Sequence, residues 1–170
     1  MGSCIKYIAT YDRAFWREKG FSGEAFSDTG PTVTTFDDTS HDGGQPALVT
    51  FSDGQVARTW GERSSDQRRT AVLNEFARFF GPDALAPTDF AEKNWNNDPW
   101  SRGCYAGVTG PGALIAFGAA LREPCGRVHW SGTETATEWM GYLEGAIQSG
   151  ERAADEVAQR CATAPHTAPR

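Results

Sequence analysis

No stretch of the sequence approaches the roughly 20 consecutive apolar residues that cross a bilayer, and its opening, Met1-Gly2-Ser3-Cys4-Ile5-Lys6, lacks a basic segment followed by an apolar core. Neither a membrane span nor secretion is expected. Positive charge is in short supply: 16 Lys and Arg face 22 Asp and Glu, a formal net charge of -6. That balance opposes general binding to nucleic acid, whose phosphates reward clustered cations. The one basic pair, Arg68-Arg69, reads as the solvated face of a helix. Cysteines at 4, 104, 125 and 161 form no C-x-x-C, and His41, His129 and His166 are scattered, so no metal is expected and the thiols read as reduced. There is no internal repeat. The dinucleotide fingerprint G-x-G-x-x-G is also missing; the run Gly107-Val108-Thr109-Gly110-Pro111-Gly112 has the wrong spacing and no clear strand before it.

What is present has the composition of an ordinary globular domain, with 39% hydrophobic residues and 19 glycines among 170. The first part is rich in strand signals. Cys4 to Tyr11, Thr32 to Phe36 and Ala47 to Phe51 mix β-branched and aromatic residues, and Ser52-Asp53-Gly54-Gln55 reads as a turn. Ser64 or Ser65 can cap a helix that places Val72, Leu73, Phe76, Ala77 and Phe80 on one face and stops at Gly81-Pro82, so it should cover the sheet. From about Trp95 glycine becomes frequent, as where backbone must approach a neighbour or ligand. Val128-His129-Trp130 reads as a short strand running into Ser131-Gly132-Thr133, and residues 142 to 159 carry a helical apolar period. A strand, a glycine turn and a helix N-terminus in that order suit a phosphate or a flavin edge. The tail from Cys161 to Arg170 is polar and reads as disordered.

The segment GRVHWSGTETATEWMGYLEGA, residues 126–146, closely resembles the C-terminal flavin motif of the FAD-dependent monoamine oxidase family. Three shorter matches follow the family's order: Gly2-Ser3-Cys4-Ile5-Lys6 with Phe15-Trp16 behind it, Glu92-Lys93-Asn94-Trp95, and Ser101-Arg102-Gly103-Cys104-Tyr105. The resemblance implies a mixed α/β fold, the C-terminal part of a two-domain FAD-dependent amine oxidase without its N-terminal dinucleotide-binding βαβ unit. Residues 1–94 would belong to the substrate domain and 95–160 would return to the FAD domain. It also implies an enzyme that oxidises a primary or secondary amine to an imine, hydrolysed to an aldehyde, with O2 reduced to H2O2. The cofactor would carry the redox chemistry while the protein orients the amine. This chain would then need the missing N-terminal half, in cis or in trans. Mitochondrial members carry a C-terminal apolar anchor; the tail here has none, so the cytoplasm is the expected compartment.

Residue by residue, the resemblance implies that Cys104 bonds covalently to the flavin, and that Tyr105 and Tyr142 form a pair of rings before its face. Lys6 would hold a water against the ring. Trp95, nine positions before Cys104, would pack near it, and Gly132, Thr133, Gly141, Tyr142 and Leu143 would bring backbone to the ribityl chain or pyrimidine edge. Without the resemblance, Cys104 is a small buried hydrophobe, the tyrosines and Trp95 are core aromatics, and Lys6 is a strand lysine reaching solvent. His41 and His129 have no triad or metal company, Asp37-Asp38 reads as a turn, and Glu134, Glu138 and Glu144 read as surface or capping residues. Two other readings stay open: a non-catalytic binding module that kept the fold, and one subunit of a split oxidase.

Overall fold

A computed structural model describes residues 1–163 and divides the chain into two compact units, Met1–Val108 and, within the described residues, 109–163. The first unit is a five-stranded antiparallel sheet with helices on one face. Its strands are β1 (Cys4–Thr10), β2 (Ala25–Phe26), β3 (Thr34–Asp37), β4 (Ala47–Asp53) and β5 (Asp89–Asn94), in the order β2-β3-β4-β1-β5. β5 has no clear signature in the sequence, and the residues that read as a turn are divided between the end of β4 (Ser52, Asp53) and the start of the helix that follows (Gly54, Gln55). Helix α2 (Gly54–Gly61) follows β4 directly, after the short α1 (Phe15–Glu18) earlier in the chain.

Alternation along β1 divides its residues between two faces. Ile5, Tyr7 and Ala9 are fully buried and pack against α3 (Ser65–Phe80), which contributes Val72, Leu73, Phe76 and Phe80. Burying a side chain of this kind stabilises the fold by about 1.5–3 kcal/mol. Helix α3 begins at a capping box, in which the Ser64 hydroxyl accepts from Gln67 N–H and the Gln67 side chain accepts from Ser64 N–H. Tyr11, Phe15 and Trp16 extend the core as an edge-to-face aromatic cluster.

Arg68 departs from the expected solvated helix face, and Asp37, read as part of a turn, ends strand β3. Arg68 is buried on α3, where its Nε donates to Glu92 Oε2 at 3.0 Å and its Nη2 pairs with Glu92 Oε1, while Arg69 lies over the Phe90 ring. A helix pattern cannot reveal that strand β5 will place a carboxylate opposite. Asp37, at the end of β3, accepts from Trp16 Nε1 (2.8 Å), Arg17 Nε (2.5 Å) and Thr39 N–H (2.9 Å). Burial pushes its pKa up, but the hydrogen bonds from Arg17, Thr39 and Trp16 outweigh that and hold it at about 2. A carboxylate titrates near about 3.9 in the unfolded chain, so this depressed pKa contributes stability that is complete above about pH 4 and disappears as pH falls through about 2. The urea midpoint of Asp37→Asn should therefore lie below that of the unaltered protein at pH 6, and the gap should close between pH 4 and 2. A gap that is constant with pH would show that the carboxylate charge contributes nothing.

The second unit contains α4 (Ala113–Phe117) and the long α5 (Leu143–Thr163). Val128 makes only an isolated bridge with Cys125, so the expected strand over 128–130 does not form. Backbone groups there turn to side chains instead: Trp130 O accepts from Arg152 Nη2 at 2.8 Å. Helix α5 continues past Cys161 to Thr163, so the tail expected from 161 begins later; residues 164–170 lie outside the described residues. Among the described residues no helix is long and apolar enough to cross a membrane.

Candidate active site

The face of the sheet opposite α3 carries the alternate residues of β1, among them Cys4 and Lys6. Register pairs Cys4 with Asp53 and Lys6 with Phe51 on one side, and Lys6 with Lys93 on the other. Like charges directly opposite repel, and the two lysines reach apart. Lys6 Nζ lies 5.8 Å from the centre of the Phe51 ring, while Lys93 Nζ sits 5.0 Å over Trp95 and donates to Asp98 Oδ2 at 2.9 Å.

A loop closes over the start of this face. Asp98 begins it by accepting from Trp100 N–H, Ser101 N–H and the Ser101 hydroxyl. The chain then turns through Arg102 and Gly103 to meet Gly2: Cys104 N–H donates to Gly2 O at 3.1 Å, and Gly2 N–H donates to Ala106 O at 2.9 Å. The approach leaves no room for side chains. A Cβ on Gly2 would lie 2.5 Å from Cys104 O, and one on Gly103, whose φ is +138°, would lie 2.3 Å from Gly2 O. Two segments singled out in the sequence, 2–6 and 101–105, are thus one structure.

This contact brings Cys104 and Tyr105 to the end of β1 that carries Cys4, where these groups and Asp53 influence one another's ionisation. Burial pushes the Cys4 thiol up to about 12 despite the Tyr105 hydroxyl, with Asp53 adding to the rise. Cys104 is also raised, by burial and then by the Asp53 charge. An ionised Cys104 is what a bond to a flavin methyl requires, and the neighbours it has in this unit oppose ionisation. Tyr105 is 64% exposed, and desolvation and then Cys4 hold its pKa up. Its ring centre is 6.0 Å from that of Phe51. Lys6, Phe51 and Tyr105 therefore form a row. Phe51 is the residue the sequence reading assigns only to a strand; its pairing with Lys6 becomes visible once β1 and β4 are in register. Trp95 stands at the far side, partly exposed in the short turn Trp95–Asn97, which Asn94 Oδ1 caps by accepting from Asn96 N–H.

In the second unit, Gly132, Thr133, Gly141, Tyr142 and Leu143 meet at the N-terminus of α5. Thr133 Oγ1 accepts from Gly141 N–H at 2.7 Å and donates to Tyr142 O at 2.9 Å, and Gly132 N–H donates to Ser149 Oγ at 2.9 Å. Gly132 and Gly141 have φ of +136° and +91°. The first N–H groups of a helix have no acceptor within it and carry partial positive charge; here they follow directly on Tyr142. Tyr142 is 65% exposed and meets Trp139 edge to face at 5.9 Å, and Leu143 is 86% exposed. Tyr105 and Tyr142 thus belong to different units. Elsewhere in the second unit, Arg122 donates to Thr135 O and Ala136 O, and Arg152 to Thr135 Oγ1. His129 has its Nδ1 2.9 Å from Glu156 Oε2 on α5, a structural pair.

Residues 1–158 match the family described as flavin containing amine oxidoreductase. The chain is similar to the probable flavin-containing monoamine oxidase A of Dictyostelium discoideum, 50% identical over 157 residues that make up 92% of this chain and 34% of that protein. It is 43% identical over 160 residues to a flavin-containing amine oxidase of Danio rerio, covering 92% of this chain and 31% of the other. Among solved structures, cyclohexylamine oxidase from Brevibacterium oxydans superimposes with a TM-score of 0.89 at 36% identity, over 95% of this chain and 36% of that one. The chain therefore spans about a third of the length of these relatives.

Proposed function

The chain belongs to the flavin containing amine oxidoreductase family, and from that premise we propose that it supplies the amine-binding and flavin-edge part of an FAD-dependent amine oxidase acting on a primary or secondary amine. The observation that carries the reading is the row Lys6, Phe51 and Tyr105 on one sheet face, with Cys104 fixed beside it by the Gly2 contact. In this reading residues 1–94 serve the substrate domain and 95–160 the flavin domain.

The residues present suit a flavin. A Cβ on Gly141 would meet nothing within 4 Å, so the space before α5 is open to a ligand edge. The N–H groups that follow match the carbonyl acceptors of a pyrimidine ring. FAD, when bound, supplies the two-electron oxidation of the amine's α-carbon and the transfer of those electrons to O2, giving H2O2. Cys104 would hold the ring through a thioether, and Gly132, Thr133, Gly141 and Leu143 would receive it with backbone. Trp95 would pack near the ring. Tyr105 and Tyr142 offer exposed aromatic faces, which attract and orient an amine nitrogen where water is scarce. Lys6 has three N–H donors with which to hold a water at the reacting edge. Phe51 stands within reach of both Lys6 and Tyr105.

The pyrophosphate cradle and adenosine pocket lie outside this chain in this reading, so cofactor affinity should be weak when the chain is alone. Purified residues 1–170 should be colourless. Joined to, or co-expressed with, a segment bearing G-x-G-x-x-G from the same family, the chain should become yellow and produce peroxide when an amine is added. Stoichiometric flavin in the chain alone would overturn the need for a second half. An assembly that binds FAD but never reduces it with any primary or secondary amine would overturn the oxidase reading and favour a binding module.

A further inference from the structure

Glu92 and Lys93 are neighbours near the end of β5 and leave the strand on opposite faces. Glu92 turns inward to the guanidinium of Arg68, which fixes the strand to α3. Lys93 stands on the open face and meets Asp98, five residues on, at the base of the loop that closes over Gly2. The two oxygens of Asp98 have separate partners. Oδ1 accepts from Trp100 N–H, Ser101 N–H and the Ser101 hydroxyl at 3.1, 2.9 and 2.9 Å, and so shapes the loop. Oδ2 accepts from Lys93 Nζ at 2.9 Å, and so fastens the loop to the sheet. We propose that Lys93 is a positioning residue: through Asp98 it ties this loop to β5 and thereby holds Cys104 and Tyr105 against the start of β1.

The loop is held at two places. One is Asp98 beside β5; the other is the pair of backbone hydrogen bonds that Gly2 makes with Cys104 and Ala106. Without the first, the second holds the loop alone. The hydrogen bond from Lys93, and then those from Ser101, keep the Asp98 carboxyl below the usual carboxylate range, so the pair is ionised at neutral pH. The Lys93 side chain is half exposed, and an exposed ion pair contributes little to global stability. Its effect is therefore on where the loop sits. The same contact turns Lys93 away from Lys6, its direct partner across β1, and keeps the ammonium 5.0 Å over the Trp95 ring. One ammonium thus orders Trp95 together with the loop that carries Cys104 and Tyr105. The tie stands on these contacts alone. Its consequence for flavin attachment rests on the proposed function.

The test is amide hydrogen exchange, read by NMR in the 170-residue chain. Lys93→Met removes the donor, and Asp98→Asn leaves one oxygen for the loop while presenting only N–H groups to Lys93. Each should speed exchange of the Cys104 N–H, which donates to Gly2 O, by about two- to fivefold. The Val72 and Phe76 N–H groups in the core should exchange at the unaltered rate. Lys93→Arg keeps a cationic donor and should restore slow exchange at Cys104, and the double variant should be no faster than either single one. The proposal fails if Cys104 exchanges at the unaltered rate in Lys93→Met, if the core groups accelerate equally, or if Lys93→Arg behaves like Lys93→Met. In the FAD-loaded enzyme the first two substitutions should slow the growth of acid-stable colour by a similar factor. An unaltered enzyme that never gains such colour would refute the thioether and leave the exchange result standing.

Discussion

Cys104→Ala in the FAD-loaded enzyme is expected to abolish acid-stable colour. Acid precipitation of the unaltered enzyme should carry the yellow chromophore into the pellet, and the substitution should move all of it to the supernatant. Cys125→Ser and Cys161→Ser should leave the pellet yellow. The neighbours of Cys104 add a finer expectation. Asp53 and burial raise its pKa, so Asp53→Asn should speed flavin attachment by enlarging the thiolate fraction, provided the enzyme folds. If the unaltered enzyme releases all its FAD on precipitation, the thioether is absent, while the family membership of the chain stands.

The second large effect is expected at the two exposed tyrosines. Tyr142→Leu should slow anaerobic flavin reduction by amine between tenfold and a hundredfold, about 1.4–2.7 kcal/mol, which is below the loss of a preorganised hydrogen-bond donor. Tyr142→Phe should be mild, because the ring face and not the hydroxyl does the orienting. Tyr105 should differ. It follows Cys104 directly in the loop held against Gly2, so Tyr105→Leu should slow attachment of the flavin as well as its reduction. If Tyr142→Leu folds, binds FAD and is reduced at the unaltered rate, the ring is only a packing residue.

These expectations combine features that the sequence makes legible with others that it hides. The Ser64 helix and the alternation of β1 are local: a capping box and a period-two pattern are written within a few residues. Strand β5 is hidden because Asp-Phe-Ala-Glu-Lys-Asn has the charges of a surface segment, and only the partner strand shows that Glu92 faces inward toward Arg68. Over 128–130 the backbone makes a single bridge from Val128 to Cys125, and the Trp130 carbonyl accepts from Arg152 on a helix, partners that lie outside any local pattern. Phe51 stayed unassigned for the same reason that Lys6 could be suspected: a motif identifies one strand at a time, whereas the row arises between two. The approach of Cys104 to Gly2 lies furthest from view, since it depends on a loop closing over the start of β1.

The same closure places the entrance and exit of the first unit at one doorway. Gly2 and Ala106 are joined by a 2.9 Å hydrogen bond, so a polypeptide that runs through the sheet and its helices leaves beside the point at which it came in. A unit with adjoining ends behaves as a cassette: a host chain can carry it, lengthen it or exchange it with little net displacement of its own path. Changes within its strands can then be absorbed with little displacement of the chain on either side, a tolerance built into two glycines and one pair of backbone hydrogen bonds.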